Sequence, residues 1–154
     1  MTKIMFVCLG NICRSPMAMF VMEDMVRRMG IEDQFVISSS ATSDEEYGAP
    51  VHRGTLTKLR AEGVPTYTRY ATLFTRADYR DYDYIVCMDR SNHRALMRMT
   101  GGDPDQKVSM LLDYTERVGE SIADPWYTGN FDDTYRDVVD GCEGLLRHLT
   151  DLHR

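Results

Sequence analysis

The sequence predicts an α/β protein in which a mostly parallel sheet is flanked by helices. Short, nearly continuous apolar segments alternate with longer segments whose apolar residues recur at helical spacing. Such apolar segments are typical of strands that are buried on both faces, as the strands of parallel sheets are. The 154 residues have the size of a single domain spanning 1–154, because no repeat, low-complexity tract or long linker divides them.

The first half of the chain contains two predicted strands, each followed by a predicted helix. Residues 3–9 (KIMFVCL) form the first apolar run, and apolar side chains recur at helical spacing through 15–29 until Gly30 ends the helix. Residues 35–38 are the second predicted strand, and residues 54–61 are the second predicted helix.

The second half of the chain repeats this order. Residues 82–88 (YDYIVCM) and 108–112 are the third and fourth predicted strands, and residues 91–99 between them are a predicted helix. Residues 123–130 (ADPWYTGN) are a predicted loop, and residues 131–149 carry an apolar stripe that predicts a long final helix. The alternation of strand and helix favours parallel strands joined by helical crossovers.

The turn after the first strand, CLGNICRS at 8–15, has the composition of an anion-binding loop. In open α/β sheets, ligands bind beyond the carboxyl ends of the strands. Gly10 and Asn11 tolerate the positive φ that a tight strand-to-helix turn needs, and such a turn directs backbone N–H groups towards an anion. Arg14 adds a planar fork for two phosphoryl oxygens. The same positive field predicts that Cys8 is ionised at neutral pH.

Composition and charge argue against several classes of function. A net charge of −6 does not suit non-specific binding to nucleic acid. No segment has the pattern of a membrane span or a secretory signal, so we expect a cytoplasmic protein with no membrane partner. The cysteines are expected to be reduced thiols, with Cys87 and Cys142 in the core. We expect no metal and no cofactor, because metal-ligand spacing is absent from the cysteines and from His52, His93, His148 and His153, which we predict to be surface or capping residues.

Four segments, VCLGNICRSP, ISSSATS, DYIVCMDRSN and ADPWY, occur in the order and at the separations seen in the low-molecular-weight protein tyrosine phosphatases. The chain resembles this family over nearly its whole length. The resemblance implies a single-domain, four-stranded parallel sheet of the flavodoxin-like type with helices on both faces. It also implies a redox-regulated hydrolase, without metal or cofactor, that acts on phosphotyrosine and other aryl phosphates.

The resemblance assigns roles to individual residues. It makes Cys8 the nucleophile that forms a phosphocysteine, Arg14 the phosphate clamp and Asp124 the general acid and base. Taken alone, the dipeptide at 124–125 indicates only a turn, whereas phosphate monoester cleavage independently needs such an acid. The phosphate-binding loop of the family corresponds to Leu9, Gly10, Asn11, Ile12, Cys13, Arg14 and Ser15. Support of the loop is implied for Asn11, Ser15, Ser39 and Asp89.

The same resemblance places a rim around the pocket, formed by Glu45, Tyr47, Trp126 and Tyr127. Trp126 and Tyr127 would line a pocket deep enough for a phenyl ring, and core packing is the alternative for them. Glu45 takes a place where many relatives have a bulky residue, and an acidic rim would discourage acidic phosphopeptides. Thr68 falls where relatives often have a histidine, and no role is predicted for it.

Cys13 lies in the same loop as Cys8. One interpretation is a small buried thiol without a function. The other, which the resemblance favours, is a redox partner that forms a disulfide with oxidised Cys8 before irreversible oxidation. The expected binding partners are phosphotyrosine-containing proteins or small aryl phosphates. We expect a monomer, with weak self-association through the aromatic rim as the alternative.

Three other functions compete with this interpretation. An arsenate reductase of the same fold needs further cysteines in a mobile segment, and this chain has only Cys87 there, inside an apolar strand. Arginine phosphatases characteristically have threonine at the loop position that Ile12 occupies, so Ile12 favours an aryl phosphate. A non-catalytic phosphotyrosine-binding module would need neither Cys8 nor Asp124.

Overall fold

The computed structural model describes residues 1–152 and contains one sheet of parallel strands. The strands are β1 Thr2–Cys8, β2 Phe35–Ala41, β3 Tyr84–Cys87 and β4 Val108–Met110. They form a 4-stranded sheet in the order β2-β1-β3-β4. The helices are α1 Arg14–Arg28, α2 Arg53–Ala61, α3 Arg76–Asp81, α4 Arg90–Thr100, α5 Pro125–Thr128 and α6 Phe131–Leu152. The predicted α/β class and the flavodoxin-like arrangement are confirmed.

The side chains of β1 alternate between two apolar cores, one on each face of the sheet. Ile4 and Phe6 are fully buried in a core that they share with α1 and α6. Met5 and Val7 belong to the second core, where they pack with Leu96 of α4. Because helices cover both faces, the strand needs apolar residues at successive positions, which is why its sequence lacks polar alternation.

Strand β2 is longer than the sequence predicts. Every residue of Phe35–Ala41 pairs with a residue of β1, and the ladder ends with Cys8 opposite Ala41. Ser39 and Ser40 therefore lie inside the strand, each 1 % exposed, instead of in the loop after it. Their polarity hid the end of the strand in the sequence, and Ser39 is polar because it serves the site described below.

Three elements of the second half also differ from prediction, and local side-chain hydrogen bonds explain the first two. Helix α3 was not predicted; Thr75 and Asp78 form a capping box that starts it. Strand β4 ends at Met110, because the Asp113 carboxylate accepts the Met110 N–H at 3.0 Å and the chain turns into the 3₁₀ segment Leu111–Tyr114. The predicted loop before the final helix contains the short helix α5.

Helix α6 packs its predicted apolar stripe into the core. Val138, Cys142 and Leu145 are fully buried, as is Cys87 in β3, so the prediction that both cysteines lie in the core is confirmed. The helix extends to the end of the described residues, and the predicted surface position of His153 falls outside them. Within 1–152, no helix combines the length and the apolar content needed to cross a membrane.

Candidate active site

A cleft opens at the carboxyl ends of β1 and β3, where the strand order changes direction. The chain leaves β1 through α1 to reach β2 on one side, whereas β3 pairs with β1 on the other side. Cys8 ends β1 and Asp89 comes soon after β3, so both lie at this switch point. Ligand sites of open α/β sheets lie at such a position.

Cys8 lies at the base of the cleft, surrounded by hydrogen-bonding groups of the loop. Its sulfur is 3.0 Å from Oγ of Ser15, and the backbone N–H groups of Asn11 and Ser15 donate to it at 3.3 and 3.4 Å. The residue is only 3 % exposed. Donors on several sides of one sulfur stabilise negative charge on it, which is what a thiolate nucleophile requires.

Asn11 holds the loop in its tight shape. Its backbone has a left-handed conformation with φ 59°, as the sequence predicts for this turn. Its side-chain Nδ2 donates to Oγ of Ser15 at 2.8 Å and to Oγ of Ser39 at 3.0 Å. The structure therefore brings three of the four predicted support residues into one buried cluster directly below Cys8.

Arg14 begins α1, and its guanidinium is buried in the wall of the cleft. Nη1 donates to Oδ2 of Asp89 at 2.7 Å and to the Ile122 carbonyl at 2.8 Å, while Nη2 lies 3.4 Å from Oδ2 of Asp124. Burial lowers the pKa of Arg14, but the negative charges of Cys8, Asp89 and Asp124 outweigh burial and raise that pKa above its ordinary value. Although buried, Nε of Arg14 has no hydrogen-bond partner among residues 1–152.

Asp89 and Asp124 divide their two oxygens in the same way. Oδ1 of Asp89 caps α4 by accepting the Asn92 N–H at 2.7 Å, and Oδ1 of Asp124 caps α5 by accepting the Trp126 N–H at 3.0 Å. The second oxygen of each carboxylate faces Arg14. The turn interpretation and the site interpretation of Asp124 are therefore compatible, since one carboxylate serves both.

The cleft encloses a cavity of about 190 Å³. Loop residues 8–10 and 12–14 form one wall, and the other consists of Ser43, Glu45, Glu46, Asp124, Trp126 and Tyr127. The cavity thus joins the predicted nucleophile, clamp and acid to three of the four predicted rim residues. Within the described part of the chain, no three His, Cys, Asp or Glu side chains are placed to share a metal ion.

The rim is aromatic on one side and acidic on the other. Trp126 is 56 % exposed and Tyr127 is 76 % exposed, so neither packs in the core. Tyr47 is 70 % exposed and is not part of the cavity wall. Glu46 takes that place, and its side chain lies so close to the loop that a Cβ on Gly10 would stand 3.3 Å from its Cγ.

The family model for the low molecular weight phosphotyrosine protein phosphatases matches residues 3–153. The chain belongs to this family. It is 38 % identical over 150 residues to the low molecular weight protein-tyrosine-phosphatase YfkJ of Bacillus subtilis, covering 97 % of this chain and 96 % of YfkJ. The crystal structure of YfkJ matches with a TM-score of 0.95 at 36 % identity, covering 100 % of this chain and 98 % of that one. The chain is therefore a hydrolase of the protein-tyrosine-phosphatase class.

Two further solved structures place this phosphatase within its family. The low molecular weight protein tyrosine phosphatase of Streptococcus pyogenes matches with a TM-score of 0.86 at 40 % identity, covering 97 % of this chain and 93 % of that one. A drosophila arginine phosphatase matches with a TM-score of 0.87 at 27 % identity, covering 96 % and 98 %. The same fold thus carries members named for different phosphate esters and amides, so selectivity has to be argued from the site.

Cys13 of the phosphatase lines the same cavity as Cys8 and is 4 % exposed. Burial, together with the negative charges of Asp124 and Cys8, raises the pKa of Cys13 to about 12. Cys13 is therefore a neutral thiol at physiological pH and lacks the thiolate that a nucleophilic cysteine needs.

His52 connects the phosphate-binding loop to the rim, a role that the sequence did not indicate. Its Nδ1 accepts the Gly54 N–H at 2.9 Å and caps α2, as predicted for a capping histidine. Its backbone N–H donates to the Ile12 carbonyl at 2.8 Å, and its ring meets the Trp126 ring edge-on with centroids 5.6 Å apart. No pattern in the sequence distinguishes these contacts from ordinary capping.

Arg69 is the second residue that sequence analysis missed. It lies in the segment between α2 and α3, and its guanidinium reaches the side-chain oxygen of Asn11 at 3.0 Å. The neighbouring Thr68, for which no role is predicted, is exposed. The only available signal was a positive charge in a segment without periodicity, and such a charge usually belongs to a solvated surface.

Proposed function

We propose that this phosphatase hydrolyses phosphotyrosine and other aryl phosphate monoesters through a phosphocysteine intermediate. The observation that carries the proposal is the buried guanidinium of Arg14, whose unpartnered Nε belongs to a residue of the cavity wall beside the Cys8 sulfur. A buried donor without a partner costs about 1–3 kcal/mol unless a ligand satisfies it. A phosphoryl group provides the oxygens that would do so.

In the first step the Cys8 thiolate attacks phosphorus in line with the ester oxygen. The new S–P bond forms as the P–O bond to the phenyl ring breaks, and the electron pair leaves with the phenolate oxygen. Asp124, protonated at this stage, donates its proton to that oxygen, so that the product is a neutral phenol. Loop N–H groups and Arg14 hold the equatorial phosphoryl oxygens while charge redistributes over them.

In the second step a water molecule attacks the phosphocysteine. Asp124, now a carboxylate, takes a proton from the water as the new P–O bond forms and the S–P bond breaks. The electron pair returns to the Cys8 sulfur, and the Ser15 hydroxyl 3.0 Å away stabilises the departing thiolate. Inorganic phosphate leaves, and the enzyme is restored with Asp124 protonated.

The cavity walls favour an aromatic leaving group. Ile12, Trp126 and Tyr127 line the space above the loop and offer an apolar slot of the kind that a phenyl ring fills. A phosphoarginine would place a guanidinium in that slot, where Ile12 provides no hydrogen bond. We therefore propose phosphotyrosine over phosphoarginine as the substrate, with direct assay of both compounds as the deciding comparison.

We also propose that Cys13 protects Cys8 from irreversible oxidation. Peroxide converts the Cys8 thiolate to a sulfenic acid. The Cys13 sulfur then bonds to the Cys8 sulfur while the Cys13 thiol gives its proton to the departing hydroxyl group, so that a disulfide and water form. A cellular dithiol then reduces the disulfide and restores both thiols. The cysteines are free thiols in the structure, which suits the reducing cytoplasm in which we place a monomeric enzyme.

The test is hydrolysis of p-nitrophenyl phosphate and a phosphotyrosine peptide by the wild type and by Cys8→Ser, with and without EDTA. Cys8→Ser should lose activity at least a thousandfold, and EDTA should have no effect. Cys142→Ser is the matched control, because that thiol is buried in the core away from the cleft. Acid-quenched wild type should contain phosphocysteine, and undiminished activity of Cys8→Ser would refute the mechanism.

A further inference from the structure

Arg69 lies outside the phosphate-binding loop, but its guanidinium is directed at the loop's support. Nη2 donates to Oδ1 of Asn11 at 3.0 Å and to the Ser39 carbonyl at 3.2 Å, and Nη1 lies 3.5 Å from the Asn11 carbonyl. Arg69 is half-buried. One planar fork therefore holds both the backbone and the side chain of the residue with φ 59°.

Arg69 fixes the orientation of the Asn11 amide. Oδ1 of Asn11 accepts from Arg69 and also from the Thr72 N–H at 3.1 Å. With two donors facing that atom, only the carbonyl oxygen satisfies them, and Nδ2 must point the other way. An inverted amide would set its N–H₂ group against the Arg69 guanidinium and would lose the hydrogen bonds on both sides.

The orientation of the amide in turn fixes the Ser15 hydroxyl. Nδ2 of Asn11 donates to Oγ of Ser15 at 2.8 Å, so this oxygen acts as an acceptor on that side. The hydroxyl hydrogen of Ser15 is then free to donate to the Cys8 sulfur at 3.0 Å. The three hydrogen bonds therefore form a chain in which Arg69 donates to Asn11, Asn11 donates to Ser15, and Ser15 donates to the Cys8 sulfur.

We propose that Arg69 is a positioning residue that acts through Asn11 and Ser15 to hold a hydroxyl donor on the Cys8 thiolate. A guanidinium keeps its charge across the working pH range, so this support does not change with pH. Its positive charge also attracts the thiolate across the loop. This role rests on the function proposed above in one respect only, namely that the Cys8 thiolate is the nucleophile of the reaction.

Nearby groups offset only part of the effect of burial on the charge of Arg69. Burial lowers the pKa of Arg69 and outweighs the electrostatic interactions with Tyr67, Cys8 and Glu23, which act in the opposite direction. The Tyr67 hydroxyl lies 3.0 Å from both carboxylate oxygens of Glu23 and ties this part of the segment to α1. The Tyr67 ring also meets Phe20 of α1 edge-on at 5.0 Å between centroids. The segment that carries Arg69 is therefore anchored to α1, the helix that follows the phosphate-binding loop.

Alkylation of Cys8 by iodoacetamide tests the proposal without relying on phosphatase activity. The rate is measured against pH for wild type, Arg69→Met and the exposed control Arg60→Met, with Cys8 modification followed by mass spectrometry. Loss of a hydrogen bond to a charged group is worth roughly a tenfold change in equilibrium. We expect the pH of half-maximal alkylation to rise by about one unit in Arg69→Met, with Arg60→Met unchanged and Arg69→Lys intermediate.

A double-mutant cycle separates this path from general damage to the loop. In a Ser15→Ala background the terminal donor is already missing, so Arg69→Met should move the alkylation profile by less than half of its effect in the wild type. Equal effects in both backgrounds would overturn the proposal. So would an unmoved profile in Arg69→Met, even with a lower melting temperature, because that result describes a structural residue only. Should Arg69→Met fail to fold, Arg69→Lys is compared in both backgrounds by the same criterion.

Steady-state kinetics supply a second readout. Because Arg69 does not line the cavity, we expect kcat for p-nitrophenyl phosphate to fall about tenfold while KM changes less than about threefold. A rise in KM with kcat unchanged would assign Arg69 to phosphate binding and contradict a role in holding the thiolate. If no variant and not even the wild type hydrolysed aryl phosphates, the proposed function would fail while the alkylation result still decided the role of Arg69.

Discussion

Asp124 accepts the backbone N–H of Trp126 at 3.0 Å, so the predicted acid caps the short helix that carries the aromatic rim. The position of the carboxylate and the position of the rim are consequently not independent. An N-cap carboxylate can be replaced by an amide with little loss of helix stability, whereas alanine removes the cap. This difference allows acid chemistry to be separated from helix capping.

We predict that Asp124→Asn and Asp124→Ala both slow the hydrolysis of phenyl phosphate about 10²–10⁴-fold, because each removes the proton donor. For an aryl phosphate whose phenol is strongly acidic, the first step needs no proton and its slowing should be much smaller. Asp124→Ala should additionally raise KM, since the rim loses its cap. Pre-steady-state kinetics with a series of phenols measures both effects; Asp132→Ala, an exposed carboxylate of α6, is the control.

The acidic side of the rim predicts a preference for basic phosphopeptides. Glu45 and Glu46 line the cavity, and no ion pair within residues 1–152 involves either carboxylate. Phosphotyrosine peptides with arginine beside the phosphotyrosine should therefore have a severalfold higher kcat/KM than peptides with aspartate there. The preference should shrink in high salt and in the double variant Glu45→Gln/Glu46→Gln. An unchanged preference in that variant, compared with Glu32→Gln as control, would show that the rim charges do not select substrates.

The redox role proposed for Cys13 predicts a difference in recovery after oxidation. After brief exposure to peroxide followed by dithiothreitol, the wild type should regain most of its activity, whereas Cys13→Ser should regain clearly less because its sulfenic acid oxidises further. Mass spectrometry of the oxidised wild type should detect a disulfide between Cys8 and Cys13. Equal recovery of the two proteins would remove the basis for this role.

The raised pKa of Cys13 predicts a loss of stability in alkaline solution. The pKa rises from 9.0 to about 12 on folding, so the folded state holds this proton more tightly than the unfolded chain does. The resulting stability is fully present below pH 9.0 and is lost as the pH rises towards about 12. Urea unfolding across this range should give a free energy that declines with pH, and Cys13→Ala should decline less steeply. Parallel slopes for the two proteins would contradict the burial of an un-ionised thiol.

Gly144 provides a test of the packing of α6 that does not involve the site. Alanine usually stabilises the interior of a helix relative to glycine, by about 0.5–1 kcal/mol. Here a Cβ would overlap the backbone carbonyl of Tyr114, which cannot move as a flexible side chain would. We therefore expect Gly144→Ala to destabilise the protein by about 1–3 kcal/mol in urea unfolding. Glu143→Ala, at the exposed neighbouring position, should be nearly neutral.

The parts of the fold that were predictable are those in which burial sets the pattern. The apolar run of β1 and the stripe of α6 each report burial directly, so their positions follow from the sequence. The end of β2 was missed because Ser39, which accepts a hydrogen bond from Asn11, is polar. Helix α3 was missed because it begins at a capping box and has no long apolar stripe. Local function and local hydrogen bonds thus obscured the general pattern.

The residues of the site also fall into those that the sequence predicts and those that it does not. Cys8 and Arg14 stand in one contiguous loop whose residue types are informative together, and Asp124 became interpretable through the family resemblance. Arg69 could not be found, because its role depends on a contact with Asn11 across 58 positions of sequence. Neither periodicity nor composition reports such a contact, which is created only when the segment between α2 and α3 folds back onto the loop.

The carboxylates of Asp89 and Asp124 each cap a helix with one oxygen and face Arg14 with the other. Three distant stretches of chain must therefore dock before the guanidinium is held in place. A synthetic peptide of the loop alone should bind phosphate no better than any short basic peptide does. Conversely, an oxyanion such as vanadate should protect the whole protein against proteolysis, in proportion to its occupancy. The affinity of this phosphatase for an anion therefore reports whether these three stretches of the chain have docked together.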